Sequence, residues 1–175
     1  MSQTTQSDEP RFVVDHNVGK LAKWLRMMGY NAVLFKDEDD GSLVRTALVQ
    51  NRVVLTKDSQ IMRRKVVTSG KVKAVFLDVD NPKEQLRKVI QALHLDCRFK
   101  PFSICLECNH TLVERTKEEV RGRVPPYVFR TKEQFMECPS CHRVYWRGTH
   151  WQAMNRILQR LVMECGDGEE GGHEG

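Results

Sequence analysis

No stretch of this chain approaches the roughly 18 consecutive apolar residues that a membrane-spanning helix requires, so no membrane partner is expected. The opening MSQTTQSDEP lacks the basic-then-apolar order of a secretory signal. Cysteine is absent from the first 96 residues, which weighs against a secreted fold stapled by disulfides along its length. Lys and Arg are absent from residues 1–10 and 166–175. These absences make an intracellular protein, cytoplasmic by default, the expectation. What is present excludes other classes: 175 residues with 40% hydrophobic content suffice for a buried core, against collagen, simple disorder or a peptide-sized scaffold.

The formal net charge of +5 conceals an uneven distribution. The two ends hold six of the 23 acidic residues, so residues 11–165 carry 17 acidic against all 28 basic residues. An excess of that size favours a polyanionic or acidic partner over a neutral small molecule.

After an N-terminal tail (1–10) expected to be disordered, apolar runs alternate with helix-period segments. RFVVD (11–15), NAVLF (31–35), RVVLT (52–56) and VKAVFLD (72–78) read as strands. Between them, Leu21, Trp24, Leu25 and Met28 share one helix face, and Leu43, Ala47 and Leu48 form part of another stripe. A short helix is expected over 59–67, and Asn81-Pro82 supplies an N-cap and first helical position. This strand-to-helix rhythm predicts an α/β fold with a mostly parallel central sheet over 11–96. From residue 97 it breaks, and a cysteine-rich module with a C-terminal helix, ending near 163, is expected. Residues 164–175 read as a flexible, acidic, Gly-rich tail.

Cys105-Leu-Glu-Cys108 and Cys138-Pro-Ser-Cys141 form two CxxC pairs separated by 29 residues, the spacing of a four-cysteine structural zinc site with no open coordination position. Cys97 and Cys165 lack paired neighbours and are left out of the ligand set. Four sulfurs also satisfy the ion without His110 or His142.

Asp15, Asp58 and Asp78 each follow a predicted strand, so parallel strands place them at the carboxyl edge where open α/β sheets carry their sites. Asp40 lies near a helix start in the acidic run after the second strand, with Asp39 beside it. Clustered carboxylates call for a hard cation such as Mg²⁺ or Mn²⁺, suited to orient water for attack on a phosphodiester. Lys57 adjoins Asp58 and is placed to meet the scissile phosphate, while Thr56 is placed to orient a carboxylate or water. Lys20, Lys23, Arg26, Arg63, Arg64 and Lys65 are candidate phosphate contacts. Trp24, within an apolar stripe, is assigned to the core.

The motifs FVVDHNVGKLAKWLRMMGY (12–30), D-x-x-L-x-x-x-A (40–47), RVVLTKD (52–58), the two CxxC pairs and VYWRGTHW (144–151) together resemble the Mut7-C family over roughly 11–160. That resemblance implies a PIN-like three-layer ribonuclease domain followed by a zinc ribbon and C-terminal helix. It matches Asp15, Asp40 and Asp58 to the acidic positions and leaves Asp78 and Asp39 as secondary candidates. Where the family commonly reads LTRD, Lys57 keeps the charge without the bidentate fork of arginine. Arg143 and Arg147 are the RNA candidates of the ribbon, and Trp151 is assigned as an anchor between modules.

The expected function is a metal-dependent endoribonuclease in RNA processing or quality control, acting on RNA such as ribosomal or transfer RNA. A noncatalytic RNA-binding or ribosome-associated protein is the alternative. A protein-interaction adaptor, docking through the ribbon and terminal helix, is the third reading.

Overall fold

The computed structural model describes residues 9–166, with side chains through residue 161. Most of the expected disordered segment 1–10, the tail beyond 166 and the side chain of Cys165 lie outside the described residues. Four strands, β1 (Phe12–Asp15), β2 (Ala32–Phe35), β3 (Val53–Thr56) and β4 (Ala74–Phe76), form a parallel sheet in the order β2-β1-β3-β4. β1 and β3 are buried along their whole length, the condition under which unbroken apolar runs are stable as strands.

Alternation along the strands feeds two cores. Phe12, Val14, Val53 and Leu55 face one layer, while Val13 and Val54 face the other. The first layer receives Leu21, Leu25 and Met28 of α1 (Leu21–Met28) and Leu86, Val89 and Ile90 of α5 (Pro82–Leu93). The second receives Leu43, Val44 and Ala47 of α2 (Asp40–Gln50) and Ile61 of α3 (Ser59–Met62). Each helix is bounded by its own chemistry. Gly29 ends α1 at φ 97°, a left-handed position where a Cβ would collide with the Lys100 carbonyl. Asn81 caps α5 by accepting from the Lys83 and Glu84 amides, with Pro82 at the first helical position.

Two local expectations change, and one segment with no expected element carries structure. The single helix over 59–67 is two short turns, α3 and α4 (Lys65–Thr68), because Arg64 is extended (φ −63°, ψ 139°) and interrupts the helical path. Leu48 is exposed: the stripe of α2 is Leu43, Val44 and Ala47, and Leu48 turns beyond the face that meets the sheet. The charged middle of the second half also carries structure, a 3-10 turn (Glu118–Val120) and α6 (Pro126–Thr131), packed through Val120, Val124 and Val128 onto Phe135.

The smaller sheet is antiparallel, β5 (Val113–Arg115), β6 (Phe135–Glu137) and β7 (Val144–Tyr145), in that order. Glu137 of β6 is a buried carboxylate. Arg115 Nε donates to it at 2.9 Å and Arg123 pairs with its other oxygen, which holds its pKa below the usual carboxylate range and ties the charged loop to the sheet.

The last helix, α7 (Thr149–Gly166), packs Met154, Leu158 and Leu161 into the core of the parallel sheet. Residues on both sides of the expected boundary near 97 therefore share one core. Among the described residues, no helix is long and apolar enough to cross a membrane. Leu158 is 3% exposed. Leu158→Ala is expected to lower the unfolding free energy of the whole body by about 2–5 kcal/mol in urea denaturation.

Candidate active site and metal centre

Asp15 ends β1 and is buried, with Thr56 Oγ1 at the end of β3 donating to its Oδ2 at 2.8 Å. Thr56 thus orients a carboxylate. The same hydroxyl oxygen accepts from the Asp58 amide at 3.0 Å, so one threonine fixes both the Asp15 side chain and the backbone that presents Asp58. Asp58 in turn caps α3 by accepting from the Gln60 amide at 2.9 Å. His16 Nδ1 lies 3.1 Å from the remaining Asp15 oxygen.

Asp40 opens α2 and joins this group electrostatically. Burial, then the charges of Asp58 and Asp15, push its pKa up, and Arg64 only partly opposes them. A carboxylate at a helix start is ordinarily stabilised by the N-terminal dipole. Its upward shift therefore reports burial first and the crowding of negative charge second. Asp39, the neighbour, has a capping role: it accepts from the Gly41 amide at 3.1 Å and from Ser42 Oγ at 2.6 Å, and these bonds hold its pKa down.

The other candidates are dispersed. Asp78 is exposed and ion-paired to Lys88, which lowers its pKa, and it is not among the charges that act on Asp40. Lys57 Nζ pairs with exposed Asp80 at 3.1 Å. Lys23 pairs with Glu107 at 2.9 Å, whereas Lys20, Arg63, Arg64 and Lys65 are exposed. Arg26 is a correction to the phosphate-binding set: it is buried, donating from Nε to the Ala32 carbonyl (3.0 Å) and from Nη1 to the Leu106 carbonyl (2.7 Å). Desolvation lowers its pKa, while the nearby Cys105, Glu107 and Cys108 oppose that shift.

In the second half, Cys105, Cys108, Cys138 and Cys141 bring their sulfurs within 4.8 Å of one another. Among the described residues this is the one group of three or more His, Cys, Asp or Glu gathered so tightly. The arrangement can coordinate a metal ion. Each pair sits in a knuckle whose backbone turns back on itself: Asn109 N donates to the Cys105 carbonyl and His142 N to the Cys138 carbonyl, with left-handed φ of 64° at Asn109 and 62° at His142.

The thiols show the same crowding as the carboxylates. Hydrogen bonding to Cys141, then burial and the charge of Cys105, push Cys108 up to about 12. Burial also pushes Cys141 up, but the Arg143 amide and the neighbouring thiols outweigh it and bring that group down to about 6. Four sulfurs gathered this closely can all ionise only with a cation among them. Tyr145 Oη stands 3.1 Å from Cys105 Sγ, the outer contact that steadies a sulfur ligand.

The first knuckle is bonded into the sheet by residues the sequence did not single out. Asn109 Oδ1 accepts from the Ala32 amide at 2.9 Å, its Nδ2 donates to Asn31 Oδ1 at 2.9 Å, and Arg52 Nη1 donates to that same oxygen at 2.6 Å. An asparagine directly after a CxxC pair, at a turn that favours left-handed backbone, was the available signal. Arg143 is drawn to Cys141, which raises its pKa, and Arg147 lies over the rings of Trp151 (5.0 Å) and Phe102 (5.5 Å). Trp151 packs against the main core and meets Phe102 edge-on.

A parallel α/β body carrying acidic residues at its carboxyl edge, bonded to a four-cysteine module that can coordinate metal, defines the class. The chain belongs to the Mut7-C family: the model described as the Mut7-C RNAse domain matches residues 10–158, which supports a nuclease-like function. Neither a curated protein nor a solved structure matches it.

Asn109→Gly keeps the left-handed turn available while deleting the amide. The Ala32 N–H then loses its acceptor. Local protection in hydrogen exchange at the start of β2 is expected to fall by about 1–3 kcal/mol, with the metal content of the four-cysteine site unchanged.

Proposed function

We propose that this protein is a metal-dependent endoribonuclease with a PIN-like domain, in which Asp15, Asp40 and Asp58 hold Mg²⁺ or Mn²⁺ and Cys105, Cys108, Cys138 and Cys141 hold a structural zinc ion. The observation that carries the reading is the tie of Asp15 and Asp58 through the Thr56 hydroxyl at the ends of β1 and β3, with Asp40 within electrostatic reach of both, in a chain whose family model is an RNAse domain. Oxygen donors with unrelieved negative charge suit a hard divalent cation, and four sulfurs suit zinc.

A divalent ion bound by the carboxylates supplies a lowered pKa for bound water and stabilises charge on phosphate oxygens. The chain's own residues prepare that chemistry. Thr56 fixes Asp15 in one orientation, and the α3 cap fixes Asp58. The charge of Arg64 reaches Asp40 and opposes its upward shift. Lys57 is held only by an exposed pair with Asp80, an interaction worth no more than about 1 kcal/mol. A phosphate oxygen can therefore take Lys57 from Asp80, placing an ammonium beside Asp58. RNA is the polyanion that the excess charge on residues 11–165 attracts; phosphate contacts through Arg63, Arg64 and Lys65 position it without reading sequence.

Asp15→Asn and Asp58→Asn are each expected to abolish Mg²⁺- or Mn²⁺-dependent cleavage of RNA, with circular dichroism and zinc content unchanged. Cleavage persisting in both variants rejects the assignment. Asp40→Asn has a second readout. Because the folded-state pKa of Asp40 is raised, its ionisation opposes folding as pH rises through the unfolded and then the folded value. Above that window, and without Mg²⁺, Asp40→Asn is expected to stabilise the fold by up to about 0.5 kcal/mol. It is also expected to lose the rise in melting temperature that Mg²⁺ gives the wild type.

A further inference from the structure

Two clefts flank the bond from Arg26 to the Leu106 carbonyl. One, of about 390 Å³, has the aromatic walls Phe102, Tyr145, Trp146 and Trp151 and contains no lysine. The other, of about 670 Å³, runs between α1, β2 and the first knuckle, and Lys20, Lys23, Trp24, Leu34, Lys36 and Asn109 line it.

The second cleft has a direction. β2 is an edge strand of the sheet, and its first residue, Ala32, is occupied on the outer side by Asn109 and Arg26. Its last residue, Phe35, is in register with Asp15, so Lys36 lies one step past the carboxyl edge that carries the acidic group. The cleft therefore runs along β2 from the cysteine knuckle to Lys36, about 13 Å at the rise of a strand, and ends one residue past the Phe35–Asp15 register pair.

Its charges are selective as well. Lys23 is paired with Glu107, whereas Lys20 and Lys36 are exposed and have no ion pair among the described residues. Trp24 packs against the core on one side and lines the cleft on the other. Two free ammonium groups beside an indole match the backbone-plus-stacking chemistry by which single strands are held.

We propose that this cleft is the path along which single-stranded RNA reaches the acidic edge, with Lys20 and Lys36 on phosphates and Trp24 beneath a base. The inference deepens the ribonuclease reading and rests on it. Lys36 and Trp24 thereby become binding residues, and the substrate becomes an unpaired segment that threads between the two modules.

The test uses the full chain carrying Asp58→Asn, so that RNA is bound without being cut. A fluorescein-labelled, unpaired oligoribonucleotide reports affinity by anisotropy across a salt series. Lys20→Ala/Lys36→Ala is expected to weaken binding by roughly 10- to 30-fold at 0.1 M salt and to lower the slope of log K against log salt by about 1.4, two phosphates at about 0.7 each. Lys71→Ala/Lys73→Ala, at exposed lysines away from the cleft, is expected to change the slope less. Trp24→Leu is expected to weaken binding about fivefold or more with little change in salt slope, the mark of lost stacking.

Lysines at a sheet edge also discourage edge-to-edge pairing. If the wild type cleaves RNA and the Lys20/Lys36 double variant of the Asp58→Asn chain keeps the parent's affinity and slope, the path is overturned and the ribonuclease reading stands. If the Asp58→Asn chain does not bind RNA and the wild type neither binds nor cleaves it, both fall.

Discussion

The buried guanidinium of Arg26 is the interaction on which the arrangement of the two sheets depends. A charge removed from water is stable only where acceptors replace the lost hydration. Arg26 finds them in one carbonyl of the parallel sheet and one of the cysteine knuckle. Cys105, Glu107 and Cys108 nearby favour its charge further. Separating the two modules would leave this cation half-satisfied, and the amides of Ala32 and Asn109 would lose partners at the same time. The polar seam is thus cooperative, because each group is satisfied by a residue from the other side.

Charge crowding recurs in two chemically distinct forms. At the carboxyl edge of the sheet, carboxylates repel one another and Asp40 bears the excess. In the knuckles, thiols do the same and Cys108 bears it. Hard oxygens and soft sulfurs favour different kinds of cation, so the two centres offer different chemistry. Local order is retained at both centres by groups outside the donor sets, Thr56 at the first and Tyr145 at the second.

Much of this was legible in the residues. Parallel strands show as the unbroken apolar runs of 12–14 and 53–55, and the helix stripes of α1 and α7 follow the 3.6-residue period. Two CxxC pairs announce their metal by ligand type and spacing alone. What was hidden lay in long-range polar contacts. Arg26 looked like a surface cation because composition treats every arginine alike; its burial is decided by a carbonyl 80 residues away. Asp78, a secondary candidate because it too follows a strand, is exposed and pairs with Lys88 on α5, a contact between residues ten apart that strand order alone does not show. The interruption at Arg64 was invisible because its residues permit a helix, and tertiary packing overrides that preference.

The seat of the last helix has a consequence for how the molecule is made. Leu158 and Leu161 complete a core begun by Phe12 and Val14, so the first strand emerges from the ribosome long before its final covering exists. Leu21, Leu25 and Met28 then wait with apolar surface available to any chaperone or hydrophobic neighbour, and contacts of such high sequence separation form slowly. A chain broken off before α7 is not a smaller version of this protein but an unfinished one, with the core shared by α1 and α5 uncovered where Met154, Leu158 and Leu161 would sit.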